Sequence, residues 1–290
     1  MKTKLIVALA VFAIAALFPL SSLSKGESAK QDRVVVSSNN TLVLNGEVTG
    51  ESVGELIAKA KQLDTGLSGL KEKVSSKRPL YLFIYSPGGS IQAGLELIEA
   101  LRGLDRPVHT ITLFSASMAF QIAQNMDDRL ILRNGALMSH HAAGEFGGDF
   151  GGADTQAMSR FKFWLQRVKE LDEQTVKRTN GKQTYESYTK QYDHEMWLTG
   201  QQSVDQGYAD RVVAFKCDSS LSGVTSKQIV FMGINVSYDI DNCPINTTPM
   251  NIKFTAPDGK VIVGNQADET RIKFLTQYEQ KARQVIPMYW

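Results

Sequence analysis

The sequence predicts an α/β fold around a parallel sheet, followed by a small, mostly β C-terminal extension. Three observations predict it. Apolar, strand-like runs alternate with amphipathic helical stretches between residues 34 and 214, and such alternation implies parallel pairing through right-handed crossovers. From residue 215 onward the alternation stops, and strand-like runs flank the turn Pro257-Asp258-Gly259. The composition, 42% hydrophobic and 21% charged over 290 residues, is that of a globular chain with a sizeable core.

The elements follow in order. Residues 25–33 are polar and charged and read as a flexible lead-in. The runs RVVV and TLVLNG open the fold as strands, and a helix follows over about 51–63. A polar connection, 64–78, leads to a strand at 80–86 that runs into Ser86-Pro87-Gly88-Gly89. Ile91, Leu95, Ile98 and Leu101 then recur at helical spacing, which predicts a helix over 90–102. A strand at 108–114 feeds a helix over 116–125. A hairpin is expected next: RLIL, a turn at Arg133-Asn134-Gly135, then ALMSH. Residues 144–153, GEFGGDFGGA, are too glycine-rich to pack a core and read as a solvent loop. A helix over about 154–179 carries Phe161, Trp164, Leu165, Val168 and Leu171 as an apolar stripe, for the core or for a subunit interface. A last helix is expected over about 268–284.

The chain ends set the compartment. Residues 1–24 combine Lys2 and Lys4, an apolar run at 5–20 and the small residues Ser22 and Ser24, the layout of a signal peptide cleaved before Lys25. An uncleaved membrane anchor is the alternative, although the run is shorter than the ~20 residues of a spanning helix. The expected location is therefore periplasmic or secreted. In an exported chain the two cysteines, Cys217 and Cys243, read first as a disulfide. Asn39, Asn235 and Asn246 stand in N-x-S/T triplets, which matter only in a host that glycosylates them. The formal charge of +2 includes Lys2 and Lys4, so the rest is near neutral and no nucleic-acid partner is expected.

The chemistry concentrates between residues 86 and 141. The glycine turn lets the backbone bend and leaves amide N–H groups free at a helix start, where a developing negative charge is favoured. The next strand delivers Ser117 to the start of another helix, and a serine facing an amide-lined turn is an acyl-transfer layout. A serine hydroxyl needs an adjacent base. His140 and His141 are neighbours on a predicted strand, where successive side chains face opposite sides, so at most one of them points at Ser117. Ser115 is a second candidate nucleophile, and a helix cap is the structural alternative for Ser117. The four histidines, His109, His140, His141 and His194, lack metal-ligand spacing, and no nucleotide loop is evident, so neither metal nor cofactor is expected.

Four segments in order resemble the proteolytic subunit of the Clp (caseinolytic) protease, within the wider Clp/crotonase fold. SPGGSIQAG resembles that family's oxyanion turn, ASMA its nucleophile motif, and LMSHH the segment that carries its histidine. EMWLTGQQSVDQGYADRVV (195–213) is similar to the region that supplies its aspartate and last core strand. The resemblance spans roughly residues 42–214 and implies a Clp/crotonase-like ββα-repeat fold. It singles out Ser117, directly followed by Met118, as the nucleophile and His140 as the base, with His141 as the alternative. A gap-free count puts Glu195 at the aspartate position, with Asp193 as the alternative acid. Backbone N–H groups of Gly89 and Met118 would form the oxyanion hole. Ala119 and Ala142 depart from the family's Gly and Pro. The implied function is a serine endopeptidase acting on peptides or unfolded chains in a homo-oligomeric ring. An exported chain would not meet a cytosolic ATPase, so no ATPase partner is expected. The departures keep a second function open, a non-catalytic scaffold or binding protein. The resulting layout is signal peptide 1–24, lead-in 25–33, peptidase domain 34–214 and extension 215–290.

Overall fold

Seven strands form the main sheet: β1 (Arg33–Val36), β2 (Thr41–Asn45), β3 (Leu80–Ser86), β4 (Val108–Ala116), β5 (Asp128–Ser139), β6 (Met196–Thr199) and β7 (Arg211–Cys217). The computed structural model describes residues 32–66, 78–142, 154–231, 233–246 and 248–263. The expected signal peptide, the glycine-rich segment 144–153, most of the polar connection and the last helix lie outside the described residues. The strand order is β1-β7-β5-β4-β3-β2, parallel throughout, with β6 antiparallel on β5. The helices are α1 (Gly50–Gly66), α2 (Ile91–Arg102), α3 (Met118–Gln124), α4 (Asp154–Arg178), α5 (Tyr185–Gln191) and α6 (Gly200–Asp205).

Side chains of β3 alternate between two cores, as a pleated strand requires. Leu80, Leu82 and Ile84 pack with Leu97, Ile98 and Leu101 of α2 and with Met118 and Ile122 of α3. Phe83 faces the other way, into a cluster with Ile111, Leu130 and Val213. Each fully buried Leu or Ile here contributes about 2 kcal/mol of burial free energy. Ser90 caps α2 by accepting a hydrogen bond from the Ala93 amide at 3.2 Å, so the helix starts directly after the glycine turn. Gly94 brings α2 close to α3: a Cβ at that position would lie 2.4 Å from side-chain carbons of Met118. Packing thus fixes the residue that follows Ser117.

The hairpin expected at 129–140 is not there. β5 is one strand whose halves both pair in parallel with β4, Arg129 with Thr110 and Leu137 with Ser115. The register shifts between Thr112 and Phe114 of β4, and the surplus residues of β5 form an irregularity near Gly135. Gly135 is needed there, since a Cβ would come within 2.7 Å of the Thr112 carbonyl oxygen. The two halves hold different neighbours, β7 along Leu130–Leu132 and β6 along Ala136–Ser139. A turn-like Asn-Gly pair is here a strand irregularity.

Beyond β7 the chain forms a second sheet of β8 (Val224–Phe231), β9 (Ile234–Asp241), β10 (Met250–Thr255) and β11 (Val261–Val263), antiparallel in the order β11-β10-β9-β8. Its own core is small, centred on Ile234, Ala256 and Ile262. A disulfide joins Cys217, the last residue of β7, to Cys243, just after β9, with Cα atoms 5.9 Å apart.

Candidate active site

β4 runs two residues farther than its apolar pattern predicts, to Ala116, and α3 begins at Met118. Ser117 is therefore the single residue of a strand-to-helix joint, with φ 54° and ψ −124°. Few L-residues adopt this conformation, and it persists where surrounding packing determines it. Gly88, at φ 95°, makes the room. A Cβ on it would lie 2.6 Å from the Ala116 carbonyl oxygen, 2.7 Å from Ser117 Cβ and 2.8 Å from the Met118 nitrogen. The Ser117 amide donates to the Met138 carbonyl at 3.0 Å, tying the joint to β5.

That tie brings His140, one residue past β5, to the serine. Ser117 Oγ and His140 Nε2 are 2.8 Å apart. Ser117 makes no side-chain cap bond to α3. Ser115, by contrast, is fully buried in β4, where no substrate can reach it. His141 turns away: its Nε2 bonds Asp193 Oδ1 at 3.1 Å, and its ring stands edge-on to Tyr192 with centroids 4.7 Å apart.

The glycine turn faces the same joint. A bridge between Val48 and residues 88–90 uses the Gly88 carbonyl and the Ser90 amide. The Gly89 amide between them is not part of that bridge. Met118 is the first residue of α3, and the amides of a helix's first turn have no intrahelical partner. Gly89, Ser117 and Met118 line the same cleft.

The two candidate acids lie apart from this pair. Glu195 has φ 67°, and its Oε2 accepts from Trp197 Nε1 at 3.1 Å. Asp193 is engaged by His141. Among the described residues neither carboxylate bonds His140. No group of His, Cys, Asp and Glu suited to a metal ion occurs among the described residues.

Ser117 and His140 open onto a cleft of about 90 Å³, lined also by Gly89, Ile91, Met118, Val168, Leu171 and Asp172. Burial pushes the Asp172 carboxyl up from its ordinary value, against hydrogen bonds from Tyr192 and Gln121. Burial, with the bond to Asp172, also pushes the Tyr192 phenol up, so it stays a donor.

A Clp protease family model matches residues 24–216, well over half of the chain. The chain belongs to the Clp protease family. Its main sheet and helices are the α/β architecture expected of a Clp/crotonase-like fold. The ATP-dependent Clp protease proteolytic subunit 1 of Leifsonia xyli subsp. xyli (strain CTCB07) is 30% identical over 172 residues, 58% of this chain and 80% of that protein. The ATP-dependent Clp protease proteolytic subunit of Streptococcus gordonii is 25% identical over 198 residues, 67% of this chain and 95% of that protein. That of Streptococcus pneumoniae (strain Hungary19A-6) is 24% identical over the same length. The Clp protease match stops at residue 216, so the four-stranded sheet lies beyond it.

Within this Clp protease frame, sequence reasoning missed Asp172, Gln121 and Ser139 in the cleft wall. A signal was present. Asp172 follows Leu171 and stands four residues after Val168, so it continues the apolar stripe of α4 toward the core. Two members of that stripe go elsewhere: Phe161 is 40% and Leu165 50% exposed.

Proposed function

We propose that this chain is an exported serine endopeptidase, with Ser117 as nucleophile, His140 as base and Glu195 as the acid. The observation that carries the reading is the 2.8 Å contact between Ser117 Oγ and His140 Nε2 at a joint where Ser117 has a positive φ. In the reaction His140, with its proton on Nδ1, accepts the Ser117 proton through Nε2 as Oγ attacks a peptide carbonyl. The Gly89 and Met118 amides receive the developing oxyanion. His140 then returns the proton to the leaving amine, and water repeats the sequence to release the acyl group.

The acid is the group that has to move. Glu195 matches the family position by the gap-free count, and its carboxylate would have to leave Trp197 to serve His140. Asp193 already spends an oxygen on His141. Export is supported by the pattern of residues 1–24 and by the Cys217–Cys243 disulfide, a bond that persists in oxidising compartments. Phe163, Met158 and Leu165 of α4 are 56%, 52% and 50% exposed, which supports assembly into a homo-oligomeric ring. The domain layout that fits is a signal peptide, the lead-in, the peptidase domain to about residue 214 and a disulfide-tied extension.

Hydrolysis of an unstructured protein by the purified chain tests the proposal, with Ser117→Ala and His140→Ala in parallel. Turnover by the wild type alone is expected. Equal hydrolysis by all three proteins would contradict the assignment, and a wild type without any turnover would favour the scaffold function.

A further inference from the structure

A buried carboxylate used by neither the nucleophile nor its base sits in the wall of the cleft. Asp172 of α4 is 3% exposed and lines the cleft together with Ser117 and His140. Its Oδ1 accepts from Gln121 Nε2 at 3.1 Å and its Oδ2 from Tyr192 Oη at 2.8 Å. Thr175 Oγ1 donates to Gln121 Oε1 at 3.0 Å, which turns the Gln121 amide nitrogen toward Asp172. The Tyr188 hydroxyl acts on the same carboxylate as a third donor, and an ionised carboxylate has about four acceptor sites, so capacity is still left. Among the described residues no lysine or arginine pairs with Asp172. A buried charge without a counter-charge is costly, and a cation beside it relieves that cost.

Beside the polar Asp172, Gln121 and Ser139, the wall carries the apolar Ile91, Met118, Val168 and Leu171. An apolar collar with a carboxylate beyond it is matched by a side chain with an aliphatic stem and a cationic head. We infer that the cleft receives the side chain on the acyl side of the scissile bond, and that Asp172 makes it select lysine or arginine. This deepens the peptidase reading and rests on it. The stem packs against the collar, and the ammonium or guanidinium takes the unused acceptor sites of Asp172. A leucine fills the collar equally well but leaves Asp172 buried and unpaired, so selection comes from the acid.

The test uses the full-length purified chain and fluorogenic peptides that differ only in the residue before the scissile bond: Lys, Arg, Leu, Phe or Glu. Expected is a kcat/KM for Lys or Arg at least roughly tenfold above that for Leu. Asp172→Asn should lower the Lys-to-Leu ratio by roughly the same factor. A wild type that reacts with a fluorophosphonate probe but prefers Leu overturns the inference and leaves the peptidase reading standing. So does an Asp172→Asn variant that keeps the Lys preference. The wild-type panel decides the preference even if the variant does not fold. Neither labelling nor cleavage of any peptide overturns the peptidase reading, and the inference falls with it.

Discussion

The two flanks of His140 are built by different means. On one flank, Ser117 is set by backbone: a positive φ, the close approach of Gly88, a hydrogen bond from its N–H to the Met138 carbonyl and the packing of Met118 against Gly94. On the other flank, Glu195 and Asp193 are placed by exposed side chains that bond Trp197 and His141. Buried backbone has few alternatives, whereas an exposed carboxylate changes rotamer at little cost. Ser117 is thus preorganised, whereas the two candidate acids are adjustable.

The largest expected effects break the backbone flank. Ser117→Ala and His140→Ala should each lower kcat by roughly 10⁴-fold or more, and the double variant should cost little beyond either. Gly88→Ala should be almost as damaging, because its Cβ would overlap the Ala116 carbonyl, Ser117 and the Met118 amide at a φ of 95°. Its kinetics and thermal melt, measured together, separate a displaced joint from a failed fold.

The acid flank sharpens the contrast. Glu195→Gln should lower kcat roughly a hundredfold, less than loss of the nucleophile, as His140 loses its charge partner and preferred tautomer. Asp193→Asn should change kcat less than about threefold. The reverse order in steady-state kinetics would move the acid to Asp193.

The legibility of the chain follows the same division. Ser117 could be read from the glycine turn and the strand-to-helix joint, and His140 was chosen over His141 by the resemblance of LMSHH to the family's segment. The strand alternation of the main sheet was equally plain. β5 was not, since Asn134-Gly135 reads as a turn and only pairing with β4 and β7 keeps the strand going. Asp172 was hidden in an apolar stripe, where its partners, Gln121 and Tyr192, come from other elements. Glu195 could be placed by position, but a side-chain direction is not written in spacing.

The smaller effects concern stability. The disulfide closes a loop with a sequence separation of 26, worth about 3.5 kcal/mol by loop entropy. Cys217→Ser with Cys243→Ser should therefore unfold at lower denaturant while leaving the Ser117–His140 pair intact. Asp172 has a raised folded pKa, so its contribution is fully present below the unfolded value of 3.8 and is lost as pH rises through the folded value. Asp172→Asn should accordingly raise Tm at pH 7, and the gain should vanish toward pH 3. A variant less stable than wild type at pH 7 would show that the bonds to Gln121 and Tyr192 outweigh the buried charge.

The most direct test of a preorganised nucleophile is covalent labelling of the purified chain with a fluorophosphonate, followed by peptide mapping. The account predicts one adduct, on Ser117, absent in Ser117→Ala and strongly reduced in His140→Ala. An unlabelled wild type, or an adduct that survives Ser117→Ala, would contradict it.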